Sequence, residues 1–166
     1  AESYAESLRR LEQAGAEIVP LQVPELETAM GLSAILFTTE AYGLWKEVIE
    51  ARPEVMFDKI LERFRSGAEF SGADYVAAWA KLEQARGAWD EAAAGFDAIL
   101  TPSCPILPPN LERLQQDQAY YVQANLLTLR NTRIGNLMGL CALSLPSGTP
   151  SCGLQLLGQP DCEEAL

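Results

Sequence analysis

The side chains able to do chemistry gather in the second half of this 166-residue chain. Thr101, Ser103 and Cys104 leave a short apolar run and enter a loop held extended by Pro105, Pro108 and Pro109. Asn131, Thr132, Arg133 and Asn136 follow on a helical stretch ahead of a second apolar run. Strand ends and loop starts are where α/β proteins place their ligands, so these residues are the substrate-pocket candidates. Their alternative role is structural: Thr101 and Ser103 bonding backbone groups of the proline loop, Asn136 tying down a helix end. A serine hydroxyl or cysteine thiol becomes a nucleophile only beside a base or another activating group. The chain has no histidine, which removes Ser-His-Asp and Cys-His systems. Its lysines, Lys46, Lys59 and Lys81, fall in helical patterns on or near polar faces and read as solvated; a catalytic lysine is desolvated. No residue of the chain is assigned a catalytic role, and Cys104 reads as an inert thiol.

The cysteines lie at 104, 141, 152 and 162, with no C-x-x-C pair. Without histidine, a zinc site is not expected, and no other metal or cofactor is indicated. Thiols in or beside apolar segments point to a reducing, cytoplasmic setting. The net charge of −11 argues against a nucleic-acid surface, which needs clustered Lys and Arg. No apolar run approaches the ~20 residues that span a bilayer, and the first residues do not resemble a signal peptide.

The elements that position these residues follow from periodicity. Tyr4, Leu8 and Leu11 recur on one helical face, with Gly15 where a C′ residue belongs. Residues 18–23 read as a short strand at an edge, given Pro20 and Pro24. Met30, Phe37, Ala41, Leu44 and Val48 form the stripe of a second helix, and a third is expected from Pro53 to near Gly67. Ser71 with Asp74 resembles a capping box that opens the longest helix, to about Gly95. Its stripe includes Tyr75, Trp79, Leu82, Arg86 and Trp89, with both tryptophans expected in the core. Buried strands are expected at 98–101, 141–145 and 154–157, and one helix from Ala119 to Met138 with Gly139 beyond it. Asp161 with Glu164 looks like the start of a further helix. A one-turn helix is not self-sustaining, so the gene is expected to continue past Leu166. At the other end the chain enters a helix at once, without a methionine.

Taken in order, these segments resemble the C-terminal part of the amidase signature hydrolases. The resemblance rests on Leu8 to Val19, on Phe64 to Tyr75 with Arg86, on Phe96 to Pro105, on Leu129 to Pro146 and on Gly153 to Gly158. It implies an α/β fold of the α/β/α kind, with helices packed on a short mixed sheet. Residues 1–166 are expected to form a single domain, the C-terminal fragment of that fold. The resemblance also implies a Ser-cisSer-Lys mechanism for hydrolysing carboxylic amides, and no cofactor. The Gly-Ser-Ser runs and lysine of that mechanism are not in this sequence, which offers only isolated pairs such as Ser147-Gly148. The chain alone is expected to be inactive.

The partners implied are the missing N-terminal half of the fold and, in the parent enzyme, a small amide substrate; neither nucleic acid nor membrane is expected. Removing strand neighbours leaves sheet edges unpaired, so self-association is expected. One alternative is a non-catalytic partner-binding domain derived from the family. Another is the glutamine-hydrolysing subunit of a tRNA amidotransferase. Relative to Thr132 and Asn136, the Asp that such proteins use for the substrate ammonium falls at Leu129, which disfavours the second alternative.

Overall fold

The computed structural model describes residues 2–166, in which two compact units are distinguished. One comprises residues 2–22 and 92–166, the other Val23–Glu91.

The first unit carries the sheet. Its opening helix α1 (Glu2–Gln13) ends as its glycine requires. Gly15 takes φ +101°, the Ala16 N–H bonds the Leu11 carbonyl and the Gly15 N–H bonds the Glu12 carbonyl, both at 3.0 Å. That is a Schellman stop, satisfying carbonyls the helix leaves free. Strand β1 (Ile99–Pro102) follows. Next come helices α5 (Leu111–Gln116), α6 (Gln118–Thr128) and α7 (Arg130–Met138), then strands β2 (Ala142–Pro146) and β3 (Gly153–Leu157). The strands lie in the order β1-β3-β2, with both pairings antiparallel. Leu157 and Leu137 are almost fully buried, and the Leu157 side chain comes close to Gly135 of α7.

The stretch at 18–23 is not a strand; it is irregular throughout. Pro20 and Pro24 lack the N–H a ladder needs. The helix expected over 119–138 is two helices, broken at Leu129 (φ −90°, ψ 0°). Helix α5 breaks the expected extended loop; Asn110 caps it, its side chain accepting from the Arg113 N–H at 2.9 Å. Near the chain end, 163–165 form a single 3-10 turn with no side-chain cap.

The second unit is helical: α2 (Glu25–Ala51), α3 (Asp58–Arg65) and α4 (Gly72–Ala93), whose last two residues lie beyond this unit. The longest helix is α2, not α4. A 3-10 turn at Pro53–Val55 precedes α3, so α3 starts later than Pro53 suggested. The turn Ser66–Glu69 packs on α2 so closely that a Cβ on Gly67 would run into the Thr38 carbonyl. Ser71 and Asp74 form the expected reciprocal cap. The Asp74 N–H donates to Ser71 Oγ at 3.1 Å, and the Ser71 N–H and hydroxyl donate to Asp74 Oδ2 at 3.3 and 2.5 Å. The stripe expected to bury α2 is mostly outward: Phe37, Leu44 and Val48 are exposed, as is Trp45, while Ala29, Leu36 and Ile49 are buried. On α4 the buried line is Ala78, Leu82, Ala85 and Trp89. Trp79 is half-buried instead, edge-on to Tyr75 at 6.4 Å and under the Arg86 guanidinium at 5.5 Å.

Candidate functional site

The two edges of the sheet are built differently, and the difference follows from register. Ser103 donates its N–H to the Gly153 carbonyl at 2.9 Å. Odd positions of β1 therefore bond to β3, and Leu100 and Pro102 turn their backbone outward. Both outward carbonyls are taken. The Tyr4 hydroxyl donates to the Leu100 carbonyl at 3.0 Å, and Asn131 Nδ2 to the Pro102 carbonyl at 2.6 Å. Partial burial raises the pKa of Tyr4, keeping it a donor. Pro102 has no N–H to leave over, so side chains largely close this edge.

On the far side, the Gly158 N–H bonds the Cys141 carbonyl at 3.0 Å and the Ser147 N–H bonds the Cys152 carbonyl at 3.3 Å. By the same parity, Ala142, Ser144 and Pro146 turn their backbone groups away from β3. All of β2 is exposed, Leu143 and Leu145 included. This is an open sheet edge.

Between the strand ends lies an open cleft of about 620 Å³. It is lined by Ser103 and Cys104 after β1, by Ser144, Leu145 and Pro146 of β2, and by residues 148–153 of the turn into β3. Gly148 (φ +87°) and Ser151 (φ +60°) shape that turn, and the Cys152 N–H closes it on the Thr149 carbonyl at 3.1 Å. Ser103 Oγ and Ser144 Oγ share a hydrogen bond at the cleft. Gly153 permits it: a Cβ there would sit 2.6 Å from Ser103 Oγ and 3.3 Å from the Leu145 carbonyl oxygen.

Of the residues singled out from sequence, Ser103 and Cys104 line the cleft. Thr101 lies beside it on the sheet, its hydroxyl 3.5 Å from Oε1 of the buried Gln155. Thr101 and Ser103 thus meet side chains of the sheet, on β3 and on β2 beyond it, rather than the backbone of the proline loop. Asn131 holds the β1 edge, and the Thr132 hydroxyl donates to the Leu129 carbonyl at 3.2 Å, within its own helix. Arg133 is half-buried and Asn136 is exposed, and neither lines the cleft. Ser144, Cys152 and Gly153 were not singled out. The available signal was a glycine opening β3, with serines placed by register on either side of it.

The cleft offers hydroxyls, thiols and an apolar rim, and its lining includes no carboxylate or lysine. Its hydroxyls can hydrogen-bond a ligand as donor or acceptor. Among the described residues no group of three or more His, Cys, Asp and Glu is placed to hold a metal ion, and no helix is long and apolar enough to cross a membrane.

The three-stranded sheet, with a GLQLLG strand at its centre and helices from both sequence flanks, belongs to an α/β fold shared with solved amidase-type structures. The chain belongs to the amidase family, whose model, Amidase, matches residues 1–166. It is 30% identical over 166 aligned residues to the 2-amino-5-chloromuconic acid deaminase of Comamonas testosteroni, covering 96% of this chain and 36% of that protein. It is 28% identical over 194 aligned residues to a glutamyl-tRNA(Gln) amidotransferase subunit of Halobacterium salinarum, covering 99% and 44%. Selenomethionine-substituted Kluyveromyces lactis allophanate hydrolase superposes with a TM-score of 0.88 at 24% identity, over 99% of this chain and 28% of that one. The chain thus spans less than half the length of these relatives.

Proposed function

We propose that this chain is the C-terminal part of an amidase that hydrolyses carboxylic amide C–N bonds. The nucleophilic serine, the cis-peptide serine and the lysine of that chemistry lie outside the 166 residues. The observation that carries this reading is the family match over the whole chain, together with 30% identity to an enzyme named as a deaminase. The cleft contributes one wall of the acyl pocket, with Ser103 and Ser144 as its hydrogen-bonding groups, and Thr101, Cys104, Asn131, Thr132, Arg133 and Asn136 remain candidates for that wall. The protein acts in the reducing cytoplasm on a small amide, and its four free cysteines support that setting. The remainder of its own fold is the natural cover for the open β2 edge. Without it, the chain self-associates.

A second reading is the glutamine-hydrolysing component of a tRNA amidotransferase, favoured by the alignment to the Halobacterium protein over 99% of the chain. Leu129, standing where an ammonium-binding Asp is expected, weighs against it. The test is expression of this chain within the longer reading frame that contains it. A frame with an upstream lysine and Gly-Ser-Ser segment that releases ammonia from simple carboxylic amides supports the first reading. Preference for glutamine supports the second. A frame lacking those residues, or one that carries them and releases no ammonia, overturns both.

A further inference from the structure

Two cysteines border the cleft. Cys104 and Cys152 are both free, both half-buried, and both line it. Their placement follows from the sheet. The bond from the Ser103 N–H to the Gly153 carbonyl is the last of the β1–β3 ladder. The next opposed residues in that register are Cys104 and Cys152. An opposed pair just beyond a hydrogen-bonded one has its Cα atoms about 4.5 Å apart and its side chains on the same face. A disulfide takes Cα separations of about 4.4–6.8 Å. The chain bends at Ser103, and both residues contribute to the lining of one cleft.

Each backbone is also restrained. Pro105 disfavours the helical region for Cys104 and keeps it extended. Cys152 is held by its N–H on the Thr149 carbonyl and by its own carbonyl, which accepts from the Ser147 N–H at 3.3 Å and the Ser147 hydroxyl at 3.0 Å. Arg10 donates to the Ser147 carbonyl at 3.4 Å and so ties down the segment that carries Cys152. The other cysteines differ. Cys141 is buried with its thiol on the Gln159 carbonyl at 3.1 Å, and Cys162 is exposed away from the cleft lining.

We propose that Cys104 and Cys152 are a peroxide-responsive pair that closes to an intramolecular disulfide at the cleft. One thiolate attacks an oxygen of hydrogen peroxide. The S–O bond forms, the O–O bond breaks, and the hydroxide that leaves is protonated to water, giving a sulfenic acid. The second thiolate attacks that sulfur. The S–S bond forms, the S–O bond breaks, and the hydroxide again takes a proton. Two thiols and one peroxide become one disulfide and two waters, with two electrons passing from sulfur to peroxide. A cellular dithiol reverses the step by exchange. The bond ties the loop after β1 to the turn before β3, beside Ser103 and Ser144, and so changes access to that wall. The pairing rests on the sheet geometry and does not depend on the amidase reading.

The test is peptide mapping of the reduced, native chain after graded hydrogen peroxide, alkylated and digested without reductant. Expected is a linked species joining the Cys104 and Cys152 peptides, formed within one chain, retained in Cys162→Ser and reversed by dithiothreitol. In Cys104→Ser and Cys152→Ser the link should vanish and the remaining cleft cysteine should be trapped by dimedone. Links running only through Cys162 between chains would overturn the proposal. So would a 104–152 link that appears only after unfolding in urea, or overoxidation of both cleft cysteines with no link.

Discussion

The hydroxyls of Ser103 and Ser144 share a hydrogen bond across the central strand, beside a residue with no side chain, Gly153. Three separate segments must be in register for that contact. A methyl group on Gly153 meets Ser103 and the Leu145 carbonyl together. Gly153→Ala is therefore expected to cost about 1–3 kcal/mol, as overpacking does. In a Ser103→Gly background the cost should shrink. Urea unfolding of the two single variants and the double variant measures the coupling; strictly additive costs would show that the clash lies elsewhere.

Gly67→Ala is expected to be more damaging than Gly153→Ala. The neighbour there is the backbone of Thr38 and Thr39, which cannot rotate aside as a serine can. Gly31 and Gly43 on α2 have open space around a Cβ, so Gly→Ala at either should be neutral or stabilise, by up to about 1 kcal/mol. Thermal melts of the four variants check the order.

The acid side of the stability curve has named causes. The Arg65 guanidinium, bonded to both carboxylate oxygens at 2.8 and 2.6 Å, lowers the pKa of Glu50. The Ser71 hydroxyl lowers that of Asp74, and the Tyr120 backbone N–H that of Asp117. A carboxyl with a lower pKa folded than unfolded binds fewer protons in the fold. Its stabilisation is whole above the unfolded range, near pH ~4, and is lost as pH falls through the depressed folded values. Stability should therefore drop below about pH 4, and Glu50→Gln/Asp74→Asn/Asp117→Asn should flatten the drop. Urea midpoints from pH 7 to pH 2 measure it; an unchanged slope in the triple variant would contradict the assignment.

How much of this was legible in sequence depends on how local each cause is. The strands at 99–102, 142–146 and 153–157 were visible within a residue or so, because apolar bursts between Pro and Gly have few other readings. The Ser71–Asp74 cap and the Gly15 stop were visible because their partners lie within five residues. The break at Leu129 and the outward Phe37–Val48 stripe were not legible from periodicity alone, and at 18–23 the local signal, Pro20 and Pro24, was read as an edge strand although their missing N–H groups leave the stretch irregular. At the cleft, Ser103 and Cys104 could be reached from strand-end logic. Ser144 and Cys152 needed the register of two strand pairs, which composition does not carry.

Exposed apolar side chains and an open edge should make the isolated chain associate. Leu44 is 72% exposed, Val48 65% and Trp45 55%. Apolar surface left in water costs about 25 cal/mol per Å², and repulsion from the net charge is screened beyond ~8 Å at physiological salt. Light scattering over a dilution series should show mass rising with concentration. Ala142→Pro removes an outward N–H of β2, and Leu44→Glu charges the α2 face; at least one should move the mass toward monomer. A wild-type monomer at every concentration would favour a self-sufficient partner-binding domain.

The most direct measurement is ammonia release from a panel of simple carboxylic amides by the purified 166-residue chain. The expected result is no turnover above background, because the proposed mechanism needs a Gly-Ser-Ser run that the 166-residue sequence lacks. Turnover that survives repurification and disappears in Ser103→Ala or Cys104→Ala would contradict this, and would place the catalytic centre in the cleft itself.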